Sequence, residues 1–227
     1  MKKISLIVVF ILAVFVSKSQ TKSYDTIPYV PEYYAKRVAL FNNEPIVSGK
    51  VIFLGNSITQ FGDWKKLLKD SFVINRGIAG DITFGVLNRL DDVIARQPSR
   101  LFVKIGINDI AKDIPEEVIV ANIVTIVQKV KAGSPKTQIF VHSILPTNDS
   151  VKNEYPNAYN KNGQVVKVNR QLKSNATKFG YTYIDLYKTF SDKKGKLSVK
   201  YAEADGLHLN KAGYLKWVEV LKKKRYL

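Results

Sequence analysis

Short apolar runs alternate with helical patterns along most of this chain, and that alternation limits its folds more than any other feature. The runs lie at 50–54, 72–75, 101–105, 138–143 and 181–185. Several are rich in Val, Ile and Phe, as strands buried on both faces of a parallel sheet are. Helices are predicted over 63–70, 83–96, 115–132, 164–178 and 210–223. The clearest starts at Pro115, carries Glu116 and Glu117 in its first turn, and has Lys129 and Lys131 near its end. Proline tolerates the first helical position, and the charges complement the helix dipole at both ends. A strand–helix alternation of this kind implies right-handed crossovers and a parallel sheet with helices on both faces, an α/β fold.

Such sheets place their sites beyond the carboxyl ends of the strands, where strand order reverses. Ser57 follows the first run, Gly80 the second and Asn108 the third, while Asp205 and His208 come after the fifth. All five are therefore expected on one rim.

Their chemistry fits together. Ser57 sits in Gly55-Asn56-Ser57-Ile58-Thr59, where Gly55 is expected to let the chain bend and expose the hydroxyl. A serine nucleophile needs a base within reach, and the chain has only two histidines. His208 has a carboxylate, Asp205, three positions before it to fix its tautomer. His142 lies in the apolar stretch Ile139-Phe140-Val141 with no acid nearby in sequence, which suits a packed strand-end residue. Gly80 and Asn108 are candidate donors to a developing oxyanion. Each motif has a plainer use: a Gly-x-Ser turn is often a helix cap, Asp-x-x-His a helix start, and Asn-Asp a turn. With two histidines and no His-x-x-x-His pattern, a catalytic zinc site is poorly supplied, and no metal is expected.

Taken together, the blocks Gly55-Asn56-Ser57-Ile58, Gly80, Gly106-Ile107-Asn108-Asp109 and Asp205-Gly206-Leu207-His208 resemble the SGNH, or GDSL-type, serine hydrolases. They occur in family order over about residues 50–220, with Asn56 and Ile58 in place of the commonest Asp and Leu. The chain looks most like the acetylhydrolase branch. The resemblance implies a flavodoxin-like three-layer α/β/α sandwich on a five-stranded parallel sheet and no cofactor. It also implies Ser57 as nucleophile, His208 as base and Asp205 as its orienter. The Ser57 amide, the Gly80 amide and the Asn108 side chain would form the oxyanion hole.

The N-terminus reads differently. Lys2 and Lys3 precede an apolar run from Ile4 to Val16, and Ser17-Lys18-Ser19 offers a cleavage site. Residues 1–19 are expected to be an export signal, too short for a comfortable membrane span. Residues 20–49 would form a lead with a short helix from Pro31 to Phe41, and 50–227 the hydrolase domain. The destination expected is the periplasm or the cell exterior. Cysteine is absent, which excludes a thiolate nucleophile and a Cys-based metal site. The net charge of +17 falls by the 3 lysines of the leader to +14. This describes a solvated basic exterior that favours anionic partners; no nucleic-acid-binding motif accompanies it.

The expected reaction is hydrolysis of a small-molecule or glycan ester. No long apolar insertion reads as a lipid-gripping lid, so a short acyl group is expected. The polar stretch from Asn148 to Gly163, with Tyr155, Asn157, Tyr159, Asn160 and Asn162, suits sugar faces and hydroxyls, or a plain surface loop. Deacetylation of a carbohydrate follows, and the charge points to an acidic sugar. A lysophospholipase or thioesterase on the same machinery and a noncatalytic glycan-binding module are the alternatives. Nothing in the sequence sets an oligomeric state.

Overall fold

The computed structural model describes residues 31–151 and 154–227. The expected export leader and the lead as far as Val30 lie outside the described residues. The first helix, α1, spans Pro31–Asn43. All five apolar runs are strands: β1 Val51–Gly55, β2 Val73–Gly77, β3 Arg100–Lys104, β4 Gln138–His142 and β5 Thr182–Ile184. They pair in parallel in the order β2-β1-β3-β4-β5. This is the flavodoxin-like order, which reverses between β1 and β3.

The sheet separates two helical layers. The helices after α1 are α2 Ser57–Gln60, α3 Trp64–Leu68, α4 Thr83–Asn88, α5 Leu90–Ala95 and α6 Ile107–Ala111. Next come α7 Glu116–Gly133, α8 Asn162–Phe179, α9 Tyr187–Phe190 and α10 Lys211–Lys223. α4, α5 and α8 each pack against α7, while α3 meets α10. Register explains the aromatic core between α3, α10 and the sheet. Phe53, Phe102 and Phe140 are direct cross-strand partners, and their rings stack at 4.8 and 4.7 Å. Trp64 of α3 stacks on Phe53 at 3.9 Å, and Trp217 of α10 meets Trp64 edge-on. Trp217 is fully buried. Truncating such a residue to alanine costs about 3–5 kcal/mol.

Three expectations need correction. The pattern over 83–96 was expected to be one helix and is two, broken at Arg89, which leaves helical geometry with φ −123°. There its guanidinium turns inward to Asp81 and to the Gly55 carbonyl. One-turn helices α2 and α6 follow β1 and β3 where turns were expected; a single turn is too short to show a period. Gly55 does not bend the chain through a left-handed conformation, since its φ is not positive. Its bareness permits close approach instead: a Cβ there would lie 2.1 Å from the Lys104 carbonyl oxygen and 2.4 Å from Thr59 Oγ1.

Candidate active site

The carboxyl ends of β1, β2 and β3 and the loop before α10 converge on one cavity of about 480 Å3. Ser57, Phe61, Gly80, Asn108, Tyr155 and His208 are among the residues that line it. Ser57 is the first residue of α2. Asn56 caps that helix, its side chain accepting a hydrogen bond from the Ile58 amide at 3.1 Å. Asn is as good an N-cap as Asp, so the departure at this position keeps the cap.

His208 Nε2 lies 2.8 Å from Ser57 Oγ, and His208 Nδ1 lies 2.6 Å from Asp205 Oδ2. The other oxygen of Asp205 accepts from the backbone amides of Leu207 and His208, both at 2.9 Å. A carboxylate at Nδ1 keeps the proton on that nitrogen and leaves Nε2 as acceptor for the serine hydroxyl. Burial pushes the Asp205 carboxyl up, but its bonds to the His208 ring and to the two amides more than offset this. Its pKa ends below the usual carboxylate value. Gly206 makes the tight turn at φ +65°. Tyr159 pins the loop from the other side by donating to the Asp205 carbonyl at 2.5 Å.

Three residues that line this cavity, Ser57, Gly80 and Asn108, carry candidate oxyanion donors. Gly80 adopts φ +81°, a conformation glycine enters freely. Among the described residues, neither its N–H nor that of Ser57 has a protein acceptor. Asn108 gives one amide hydrogen to the Asp81 carbonyl at 2.8 Å, which fixes the plane of the amide and leaves the second hydrogen to spare. Asp81 is held by Arg89 at 2.9 Å and by the Ile82 amide. Asp109 accepts from the Thr83 hydroxyl and amide at 2.5 and 3.0 Å. Burial raises both carboxyls to about 6 despite these bonds.

All five predicted site residues thus gather in one place. His142 does not join them. It is buried, accepts from Trp217 Nε1 at 3.2 Å, and is driven to a pKa of about 3 by burial and by the neighbouring Lys104. Of the polar stretch, Tyr155 and Asn157 line the cavity, while Asn162 bonds the Thr147 backbone. Phe61, whose ring lies 5.2 Å from that of His208, was not among the residues expected at the site. Nor were Gln60, Asp81 and Arg89, which carry no local motif.

Geometrically, a hydroxyl paired with an imidazole, a carboxylate behind it and preorganised N–H donors suit acyl transfer. The comparisons agree. The model of the GDSL-like lipase/acylhydrolase family matches residues 53–216. The human platelet-activating factor acetylhydrolase IB subunit alpha2 is 31% identical over 173 residues, covering 73% of this chain and 71% of that protein. A Streptococcus pneumoniae structure, described as a candidate platelet activating factor, aligns with a TM-score of 0.76 at 27% identity and covers 86% of this chain and 94% of its own. A GDSL-like lipase from Bacteroides thetaiotaomicron has the same fold, with a TM-score of 0.73 at 22% identity over 86% of this chain and 98% of that one. The chain belongs to the GDSL-like lipase/acylhydrolase family and is an ester-hydrolysing enzyme.

Proposed function

We propose that this enzyme is an exported serine esterase that removes short acyl groups, acetyl above all, from the hydroxyls of a carbohydrate. One observation carries the catalytic part: the unbroken line of hydrogen bonds from Asp205 through His208 to Ser57 at the cavity. Ser57 attacks the ester carbonyl while His208 Nε2 takes its proton. The Ser57 and Gly80 amides and Asn108 Nδ2 hold the tetrahedral oxyanion. The imidazolium, stabilised by Asp205, then protonates the leaving alcohol, and an acyl-enzyme remains on Ser57. Water enters by the same steps in reverse and releases the acid.

The acyl preference is supported by Ala79, Ala111 and Leu207, which give the cavity small and apolar walls. The acetylhydrolase relative supports it as well. The carbohydrate part is supported by Phe61 and Tyr155, whose rings flank His208 at 5.2 and 5.5 Å and offer apolar faces to a ring-shaped alcohol. Asn157 adds an amide for hydroxyls. The preference for an acidic sugar rests on the overall charge, +17 less the 3 leader lysines or +14, since the cavity itself has both Lys112 and Glu154 in its wall. Export rests on the charged, apolar and small-residue order of 1–19.

The test is a screen of acetylated glycans for released acetate, with p-nitrophenyl esters of increasing chain length beside it. Acetate release and an acetyl optimum are expected. An optimum at octanoyl or longer, with no acetate from any glycan, would instead assign the machinery to a lysophospholipase or thioesterase.

A further inference from the structure

The nucleophile helix and the loop carrying Gly80 are separate pieces of chain, and one side chain of that helix bonds the loop directly. Gln60, the last residue of α2, places Oε1 2.7 Å from the Ala79 amide, whose N–H donates to it. Its Nε2 donates to the Tyr33 hydroxyl of α1. These bonds fix which way the amide points, because the Ala79 N–H requires an oxygen and leaves the nitrogen for Tyr33. Below them α2 sits directly on the end of β2. A Cβ on Gly77 would come within 2.2 Å of the Gln60 nitrogen. The Asn75 amide donates to the carbonyls of Thr59, Gln60 and Gly62 at 2.9 to 3.1 Å.

We propose that Gln60 is a positioning residue for the oxyanion hole. It sets the distance between the Ser57 amide, at the start of its own helix, and the Gly80 amide, one residue beyond its partner Ala79. Tyr33 holds it in that rotamer, which makes α1 part of the active-site support. α1 lies outside the stretch matched by the family model, and it reaches the same region twice more. Tyr34 donates to the Gly85 carbonyl at 2.7 Å and Arg37 to the Gly77 carbonyl at 3.4 Å. Neither Gln60 nor Tyr33 touches the reacting atoms in this arrangement. Their effect passes through the geometry of two donors, and a misplacement of about 1 Å in such a group can cost a hundredfold.

The inference rests on the Ser57 esterase reading, and the experiment separates the two. Gln60→Leu, Gln60→Glu, Tyr33→Phe and Ser57→Ala are compared in the full chain for kcat, KM, thermal stability and inhibition by a boronic acid, which mimics the tetrahedral state. Gln60→Leu is expected to lower kcat and boronate affinity together, about tenfold or more, with KM changed less than about twofold. Gln60→Glu keeps an acceptor for Ala79 and should recover most of the loss. Tyr33→Phe should give a smaller loss of the same kind. Wild-type kcat in Gln60→Leu, or a loss confined to KM, overturns the proposal. So does failure of Gln60→Glu to do better than Gln60→Leu. If Gln60→Leu does not fold, Tyr33→Phe decides: a kcat loss supports the tether, and wild-type kcat and boronate affinity overturn it. If Ser57→Ala keeps full hydrolysis, the esterase reading falls instead. The tether is then judged by amide exchange at Ala79, which should accelerate in Gln60→Leu; unchanged exchange overturns it.

Discussion

Ser57 and His208 stand 151 positions apart in the chain and 2.8 Å apart in space. Ser57 ends the first strand crossing, and His208 precedes the last helix. The sheet brings them together because β1 is an interior strand, flanked by β2 and β3, and α10 packs back beside α3 next to it. Tyr214 of α10 closes the join by donating to the Ile58 carbonyl at 2.9 Å, one residue past the nucleophile.

Removing the charge behind the imidazole tests that geometry. Asp205→Asn keeps the shape of the side chain but puts an amide where His208 Nδ1 needs an acceptor. A loss of about 10⁴ in kcat is expected, as for such a change in other Ser-His-Asp enzymes. Circular dichroism should show the fold retained, and steady-state kinetics gives the loss. A kcat within a few-fold of wild type would remove Asp205 from the mechanism.

The oxyanion donors are tested through Asn108. Asn108→Ala deletes one donor and leaves the Asp81 carbonyl without its partner. A fall in kcat of about 10²–10³, with little change in KM, is expected for a group that acts on the transition state. A change in KM with kcat unaltered would mean that Asn108 binds substrate instead.

Much of this was legible in the sequence, for reasons specific to each part. β1, β3 and β4 announced themselves because buried parallel strands are apolar on both faces, so Val51-Ile52-Phe53-Leu54 needs no alternation to be recognised. α7 was legible from its charged ends and length. Asp205 and His208 were legible because both lie within one turn of chain. The division at Arg89 was not, since the partners that draw its guanidinium inward, the Asp81 carboxylate and the Gly55 carbonyl, lie outside the helix. Gln60 was invisible for the same reason: its partners are Ala79 and Tyr33, one on each side in sequence, and no local pattern records them.

A buried lysine supplies a pH test. Lys104 is 3% exposed at the end of β3, and burial lowers its pKa from 10.5 to about 7. Between those values the unfolded chain holds a proton that the folded chain lacks, so stability rises with pH there. It is lowest below about 7, where both states are protonated and the folded one bears the buried charge. One such group contributes about 1.4 kcal/mol per pH unit inside the window. Denaturant titrations of wild type and Lys104→Met between pH 7 and 10 should differ by a slope of that sign, with the variant the more stable near neutrality. Parallel curves would show that Lys104 keeps its ordinary pKa.

The aromatic walls predict a split between substrates. Phe61→Ala and Tyr155→Ala should raise KM for an acetylated sugar several-fold while leaving methyl acetate hydrolysis nearly unchanged, because only the larger alcohol reaches the rings beside His208. Equal effects on both substrates would place these residues in support of the imidazole instead.

The most direct measurement is the intact mass of the protein quenched during turnover of an activated acetyl ester, followed by peptide mapping. One acetyl group on Ser57, absent in Ser57→Ala, is the expected result. Full hydrolysis by Ser57→Ala, or turnover with the acyl group on another residue, would contradict the central claim that this serine carries the reaction.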